Sequence, residues 1–166
     1  MSRRSGPITS RRIARTSSER LLLAALLLSV ACAARTPAGA SDAASAVPAM
    51  LRASAEAWNR GDLESFLDDY LDSPETTFVG TDLSFGVDRI RERYLRSYWR
   101  TGRPEGLLRF EDLHVRPLGA DHALAHGRYV LTDPNGGEQG TGFFSLVLVR
   151  TSDGWRIIHD HSSSTP

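Results

Sequence analysis

The fold is decided by the closing stretch Asp153-Gly154-Trp155-Arg156-Ile157-Ile158-His159-Asp160-His161-Ser162-Ser163. Its first residues, with Ser152, have the composition of a hairpin turn, and the residues after Gly154 favour a strand. Because side chains alternate along a strand, one face is predicted to carry Trp155, Ile157, His159, His161 and Ser163. The bulky apolar residues at its start indicate that this face is covered. Both histidines are therefore expected to point into a hollow inside the domain.

Three further strands are predicted upstream, at about 107–116, 122–132 and 142–150, and the turn 133–137 separates the last two. Alternation leaves open which face of 122–132 points inward. One face would carry Ala123, Ala125, Gly127 and Tyr129, and the other Leu124, His126, Arg128 and Val130.

Helical periodicity comes before these strands. A first stripe ends at Gly61 and contains Val47, Met50, Leu51, Ser54 and Trp58. A second helix is predicted after the cap Asp62, with apolar Leu63, Phe66, Leu67, Tyr70 and Leu71. A third runs from about Asp88 to Trp99, and a short strand lies at 76–79. Helices followed by hairpin-linked strands predict an α+β fold, with three N-terminal helices packed on one face of a curved, mostly antiparallel sheet.

The first 33 residues have the pattern of an export signal. Six arginines and one acid lie in this segment, and an apolar run from Leu21 to Ala31 follows the basic part. Eleven residues span only about 16 Å as a helix, too short for a stable membrane span. A basic region, a short apolar region and small residues predict a signal peptide. The chain is therefore expected to be exported, to the periplasm or the cell surface.

Cys32 is the only cysteine, and the segment Ser29-Val30-Ala31-Cys32 resembles a lipobox. We expect Cys32 to be lipidated and to anchor the protein to a membrane; cleavage of a simple secretory signal is the alternative. Residues 34–46 are rich in Ala, Ser and Gly and predict a flexible tether. The folded domain is then expected at 47–166.

Charge argues against nucleic acid as a partner. Residues 34–166 carry 14 arginines and 19 acidic residues, a formal charge of −5. An acidic domain repels the phosphate backbone, so no nucleic-acid binding is expected. The sequence also contains no pattern for a cofactor, and none is predicted.

Three stretches carry a family resemblance. They are Ala57-Trp58-Asn59-Arg60-Gly61-Asp62-Leu63, then Gly86-Val87-Asp88-Arg89-Ile90, and the closing stretch itself. In this order they resemble the nuclear transport factor 2-like superfamily, in its SnoaL-like (polyketide-cyclase-like) branch. The resemblance implies a cone with a central pocket and frequent homodimers. Members include isomerases, cyclases, dehydratases and association domains, so the function must come from the site.

The candidate site is a small-molecule pocket with an aromatic wall and a polar rim. Its predicted ligand-binding residues are Trp58, Tyr94, Tyr98, Arg128, Phe143, His159 and His161. We expect binding of an unidentified ligand. The alternative is a small lyase, isomerase or hydrolase that uses His159 and His161 as acid–base groups. A third possibility is that both histidines are structural.

Other chemistry fits the sequence less well. His159 and His161 could share a metal ion, but a third ligand such as His126 or Asp82 has no motif spacing, and no metal is predicted. The ketosteroid-isomerase arrangement would need a base and an oxyanion site, for which Asp112 and Tyr70 exist without a recognisable motif. An Asp82–His161 pair, as in a dehydratase, is equally unsupported.

The predicted sheet has apolar residues on both faces of 142–150. Phe144, Leu146 and Leu148 are assigned to the outer face, away from the helices. A second apolar face needs a second cover, and a homodimer is therefore expected.

Overall fold

A computed structural model describes residues 38–165, with side chains from Asp42 onward. Three helices precede most of the sheet: α1 (Ala38–Arg60), α2 (Leu63–Leu67) and α3 (Val87–Ser97). The strands are β1 (Thr77–Val79), β2 (Leu83–Phe85), β3 (Leu107–Pro117), β4 (His122–Thr132), β5 (Glu138–Thr151) and β6 (Gly154–Ser164). The predicted α+β class is confirmed. The predicted signal peptide and Cys32 lie outside the described residues.

Helix α1 begins earlier than predicted. It starts at Ala38, so the prediction of a flexible tether at 34–46 is wrong from that residue onward. Ala43 is fully buried, and Asp42 forms an ion pair with Arg150 at 3.2 Å. A segment of small residues has the composition of a linker, but alanine also favours helix. Here the contact of Ala43 with the core adds to that propensity, and the segment is helical. The helix ends at Gly61, which has φ of 78°.

Helix α2 is one turn shorter than its apolar period predicts. Asp62 caps it by accepting a hydrogen bond from the Ser65 amide at 3.1 Å. After Leu67 the chain leaves the helix, and Tyr70 forms a parallel bridge with Ile157 of β6. The bridge consists of hydrogen bonds from the Ile157 amide to Asp69 and from the Leu71 amide to Ile157. Tyr70 is therefore carried against the sheet by pairing with β6.

The six strands form one sheet in the order β2-β1-β6-β5-β4-β3. Among these six described strands, β1 and β6 pair in parallel and the other neighbours are antiparallel. The hairpins predicted from the turns at 133–137 and 152–154 join β4 to β5 and β5 to β6. The inner face of β4 carries Ala123, Ala125, Tyr129 and Leu131, which resolves the alternative that the sequence left open.

The assignment of faces on β5 was wrong. Phe144, Leu146 and Leu148 are buried in the core, so they belong to the inner face. The outer face of β5 carries Phe143, Ser145, Val147 and Val149, by alternation. The apolar cover that the sequence assigned to a partner is supplied by the helices of the same chain.

Strand β6 contains a bulge, which reverses the predicted faces in its second half. Val147 of β5 pairs with His159, and the next residue, Leu148, pairs with Ile157. Ile158 is thus an extra residue. An extra residue moves every later side chain to the opposite face. The bulge lies where the neighbour of β6 changes from the Tyr70 segment to β1.

Among the described residues, no helix has the length and apolar character needed to cross a membrane.

Candidate functional site

A cavity of about 80 Å³ lies between the helices and the inner face of the sheet. Nine of its seventeen lining residues are aromatic: Trp58, Phe66, Tyr70, Phe78, Tyr94, Tyr98, Phe110, Tyr129 and Phe144. The other eight are Leu51, Ser54, Leu108, Leu131, Leu146, Ile157, Asp160 and Ser162. The partly exposed members include Tyr98, Phe110, Tyr129 and Leu131. We take these four as the mouth of the cavity.

Trp58 of α1 organises the helical wall. Its ring contacts those of Phe66, Tyr94, Tyr98 and Trp99 edge to face, with centroid distances of 4.3 to 6.0 Å. Edge-to-face contacts at these distances are favourable for aromatic pairs. The indole Nε1 donates to the Gly106 carbonyl at 2.8 Å, so its polar atom is satisfied. Trp58 therefore forms part of the cavity wall, and its indole N–H is not available to a ligand because it is bonded to Gly106.

The polar part of the cavity is a cluster of four side chains, the Asp160 cluster: Asp160, Tyr70, Tyr94 and Ser162. Asp160 is only 5% exposed. Its Oδ2 accepts from the Tyr70 hydroxyl at 2.7 Å, and its Oδ1 accepts from Ser162 at 2.8 Å. The Tyr70 and Tyr94 hydroxyl oxygens are 3.1 Å apart. All four members line the cavity, so this hydrogen-bonded chain is its polar wall.

Burial controls the ionisation of this cluster. It raises the pKa of Asp160, while hydrogen bonds from Tyr70 and Ser162 act in the opposite direction. Burial also raises the pKa of Tyr70 and Tyr94 well above the usual tyrosine value, so both hydroxyls keep their protons. Asp160 is thus the acidic group of the cluster, and burial disfavours its charged form while the two hydrogen bonds favour it.

Three of the residues predicted for the site do line the cavity: Trp58, Tyr94 and Tyr98. Asp160 and Ser162 were not predicted from the sequence, and Tyr70 was suggested only for an oxyanion site without a recognisable motif; these three residues supply the polar wall. The available signal was the pair Ile157-Ile158, two adjacent branched apolar residues that break strict alternation in a strand.

The predicted position of His159 and His161 was wrong. Asp160 faces the cavity, so its neighbours on the strand face the opposite side. His159 lies 2.7 Å from the Thr77 hydroxyl through Nδ1, and His161 is exposed. The physical reason is the extra residue Ile158, which exchanges the two faces after Ile157.

Arg128 and Phe143 were also placed wrongly, since their neighbours Tyr129 and Phe144 line the cavity. Arg128 forms ion pairs with Glu111 at 2.8 Å and Glu138 at 3.3 Å on the outer face. Phe143 is 58% exposed.

The residues considered for metal or acid–base chemistry do not meet. Asp82 pairs with Arg93 of α3, and His126 stacks on His114 with ring centroids 5.3 Å apart. Asp112 is exposed at a bulge in β3, where its φ is 50°. Within residues 38–165, no three His, Cys, Asp or Glu side chains are grouped as a metal site would require.

Comparison with solved structures agrees with this architecture. An NTF-2-like protein of unknown function from Shewanella oneidensis MR-1 is 28% identical, with a TM-score of 0.61 over 70% of this chain and 95% of its own. A ketosteroid isomerase-like protein from Erwinia carotovora atroseptica is 19% identical, with a TM-score of 0.57 over 74% and 97%. A putative calcium/calmodulin dependent protein kinase II association domain from Xanthomonas campestris is 21% identical, with a TM-score of 0.56 over 72% and 86%.

No curated protein sequence matches the chain significantly. The family model of the SnoaL-like domain, in contrast, matches residues 47–166, which is most of the chain. That span contains all three stretches on which the resemblance rests and every residue of the cavity. The chain belongs to the SnoaL-like domain family.

Proposed function

We propose that this domain binds a small, mostly apolar molecule in the cavity, and that one polar group of the ligand contacts the Asp160 cluster. The observation that carries the proposal is a buried carboxylate in the wall of a cavity whose other lining residues are mostly aromatic or aliphatic. A buried acid that served only the core would lower stability without benefit, and buried groups with perturbed ionisation concentrate at functional sites.

The volume of the cavity limits the ligand. A cavity of about 80 Å³ is well below the ~300 Å³ at which pockets for drug-sized molecules begin. The bound part of the ligand is therefore a small group, and any longer part extends through the mouth at Tyr98 and Leu131.

Binding can be tested with ring compounds of one size. Cyclopentanol, cyclopentanone and cyclopentylammonium differ only in their polar group, and saturation-transfer NMR detects weak binding of each. Leu131→Trp should block the mouth and remove the signal. Leu124→Trp changes the same strand on its outer face and should leave the signal unchanged. If none of the three compounds gives a signal with the wild-type protein, the proposal is wrong.

Catalysis is the second candidate function, and one observation favours it. Asp160 combines a raised pKa with two tyrosine hydroxyls, an arrangement suited to moving a proton at a ligand carbon or oxygen. An isomerase or lyase on this domain would use Asp160 in place of His159 or His161. Turnover of enones, hydroxy-ketones or epoxides should then fall by about 10²-fold or more in Asp160→Asn and persist in His161→Gln.

The site of action is proposed from the leader alone. We propose that the chain is exported and anchored through a lipidated Cys32, because lipobox-like residues precede that cysteine. Two or more acyl chains hold a protein firmly at a membrane. Mass spectrometry of the mature N-terminus should show a lipidated Cys32. An unmodified N-terminus at Ala34 would contradict this.

We also propose a homodimer, now through a different set of residues. On the outer sheet face, Leu124 pairs with Val147, and Val149 follows two residues later on β5; all three are partly buried, and Phe143 is exposed further along β5. These side chains form an apolar strip across β4 and β5, which a second copy could cover. Light scattering at micromolar concentration should give the mass of a dimer, and Val147→Arg should give that of a monomer. A monomeric wild type would contradict the proposal.

A further inference from the structure

We propose that the ligand of this cavity is a small organic ammonium ion, held by Asp160 and surrounded by aromatic rings. The inference rests on the proposed binding function and names the ligand class. Charge, hydrogen-bond valence and the composition of the wall each support it.

The cavity has a negative group and no positive one. Among the seventeen lining residues, Asp160 is the single charged residue, and Arg and His are absent from them. The positive charges that act on Asp160 come from His159 and His161, on the opposite face of β6. Arg93 is nearby, but it is paired with Asp82 and its guanidinium carbon lies 4.7 Å from the Phe78 ring centroid. An ionised carboxylate buried without a counter-ion is unfavourable, and a cationic ligand would supply that counter-ion.

The unoccupied hydrogen-bonding positions of the Asp160 cluster favour a ligand that donates hydrogen bonds. Tyr70 gives its proton to Asp160, so Tyr94 must donate in the 3.1 Å contact between the two hydroxyls. A carboxylate offers about four lone-pair positions, of which Tyr70 and Ser162 occupy two. The free positions, on Asp160 and on the Tyr94 oxygen, are all acceptors. An ammonium N–H satisfies such positions, whereas a ligand carbonyl cannot.

The remaining wall has the composition that stabilises an organic cation. Nine aromatic side chains surround the space, and Phe78 is the neighbour of Asp160 in the pairing of β1 with β6. Aromatic faces attract ammonium ions, and aromatic cages recognise quaternary and methylated amines. An alkyl group on the ligand nitrogen would contact these rings while its N–H groups reach Asp160.

The size of the cavity sets the size of the cation. Its volume of about 80 Å³ is roughly half of the ~150 Å³ that admits benzene in an engineered cavity. Cyclopentylammonium has as many non-hydrogen atoms as benzene, so we expect its nitrogen at the cluster and part of its ring in the mouth, between Tyr98 and Leu131.

A neutral carbonyl ligand is the opposing possibility. It would require a protonated Asp160 and a reversed chain, in which Asp160 donates to Tyr70, Tyr70 to Tyr94, and Tyr94 to the ligand. The same three ring compounds separate the two cases, because their rings are alike and only the polar group differs.

The test measures the affinity of the purified protein for cyclopentylammonium, cyclopentanol and cyclopentanone at pH 7.5 by calorimetry or NMR titration. We expect the ammonium to bind at least about tenfold more tightly than either neutral compound, the difference that one charge-assisted contact produces. Asp160→Asn keeps the shape of the side chain and should remove that preference, because it reduces the affinity for the ammonium far more than the affinity for cyclopentanol. His161→Gln, on the outer face, should retain the preference.

Each other outcome is decisive. Tighter binding of cyclopentanone than of the ammonium, or a preference for ammonium that survives in Asp160→Asn, would overturn the inference and leave the binding function standing. Failure of all three compounds to bind would overturn both. If Asp160→Asn does not fold, as judged by circular dichroism, Tyr94→Phe replaces it. That variant removes one acceptor and should reduce the affinity for the ammonium more than the affinity for cyclopentanol.

Discussion

The Tyr70 hydroxyl donates a 2.7 Å hydrogen bond to Oδ2 of Asp160, although the two residues are 90 positions apart in the chain. The bond joins the segment after α2 to the second half of β6, where the bulge has turned Asp160 inward. Both residues are buried, so this bond satisfies the donor of the Tyr70 hydroxyl and one acceptor position of the Asp160 carboxylate. A contact of this kind is expected to affect stability as well as the chemistry of the cavity.

Tyr70→Phe should therefore be costly. It removes the donor to Asp160 and the partner of Tyr94 at once, and leaves buried polar atoms without hydrogen bonds. We expect a loss of about 1–3 kcal/mol in the free energy of unfolding, measured with urea. Tyr129→Phe is the matched control, because its hydroxyl bonds to exposed Ser164 at 3.1 Å, and it should cost under about 0.5 kcal/mol. Equal effects of the two variants would show that the cluster has no special role.

Asp69 should make stability depend on pH. Burial raises its pKa to about 6, while Ser54 and Arg156 act to lower it, and Oδ2 has no hydrogen-bond partner. A raised pKa in the folded state means that the stabilisation is present at low pH and is lost as pH rises from about 4 through about 6. Asp69→Asn should match the wild type near pH 4 and be more stable above pH 6, by roughly 1–3 kcal/mol. Thermal unfolding of both proteins at pH 4, 5, 6 and 7.5 measures this. A wild type that becomes more stable relative to Asp69→Asn as the pH rises over that range would contradict it.

Ammonium affinity should also depend on pH, through Asp160. Its pKa is raised by burial, so its charged form is favoured at higher pH. Cyclopentylammonium keeps its charge through neutral pH, and its affinity should increase as the pH rises through the raised pKa of Asp160. The ionisable groups around Asp160 are Tyr70, Tyr94 and Tyr98 on the cavity side. His159 and His161 lie on the opposite face.

His159 and His161 also act electrostatically on Asp160 from the opposite face of the strand. The double variant His159→Gln/His161→Gln removes that contribution and should keep the increase, whereas Asp160→Asn should abolish it. Affinity that is constant with pH in the wild type would contradict the assignment of Asp160 as the ammonium partner.

Two glycines in β5 should respond differently to alanine. A Cβ at Gly142 would overlap the Ser163 carbonyl oxygen and lie 2.7 Å from the Tyr129 ring, whereas a Cβ at Gly140 would meet nothing within 4 Å. Gly142→Ala should cost about 1–3 kcal/mol, because β6 or Tyr129 must move. Gly140→Ala should be neutral or stabilising by up to about 1 kcal/mol. Urea unfolding of both variants checks the difference, and a neutral Gly142→Ala would show that the mouth of the cavity deforms easily.

The general architecture could be predicted because it follows from local patterns. The stripe from Val47 to Trp58, the stop at Gly61 and the turn at Gly154 were all visible in sequence and are present in the structure. Tyr94 was predicted for the site, and in the structure it is buried on the same face of α3 as Ile90, four residues earlier.

The polar side of the cavity could not be predicted in the same way. Strict alternation gave the correct face for Trp155 and Ile157, but a single extra residue reversed every later assignment. Tyr70 fitted the helical period of α2 and was assigned to that helix, while its position depends on pairing with Ile157, 87 residues later. Both features come from contacts between distant segments, which a local pattern does not contain.

The bulge in β6 has a consequence for transferring site residues among relatives. Two residues, Ile158 and His159, separate the inward-facing Ile157 and Asp160, whereas one residue would separate them in a regular strand. Consider a relative that lacks the extra residue. An ungapped alignment would match the relative's first inward-facing residue after Ile157 with His159 of this chain, and the relative's next inward-facing residue with His161. Only a gap at Ile158 aligns the first of these residues with Asp160. Site residues in relatives of this chain should therefore be compared after superposition of the closing strand, residue by residue.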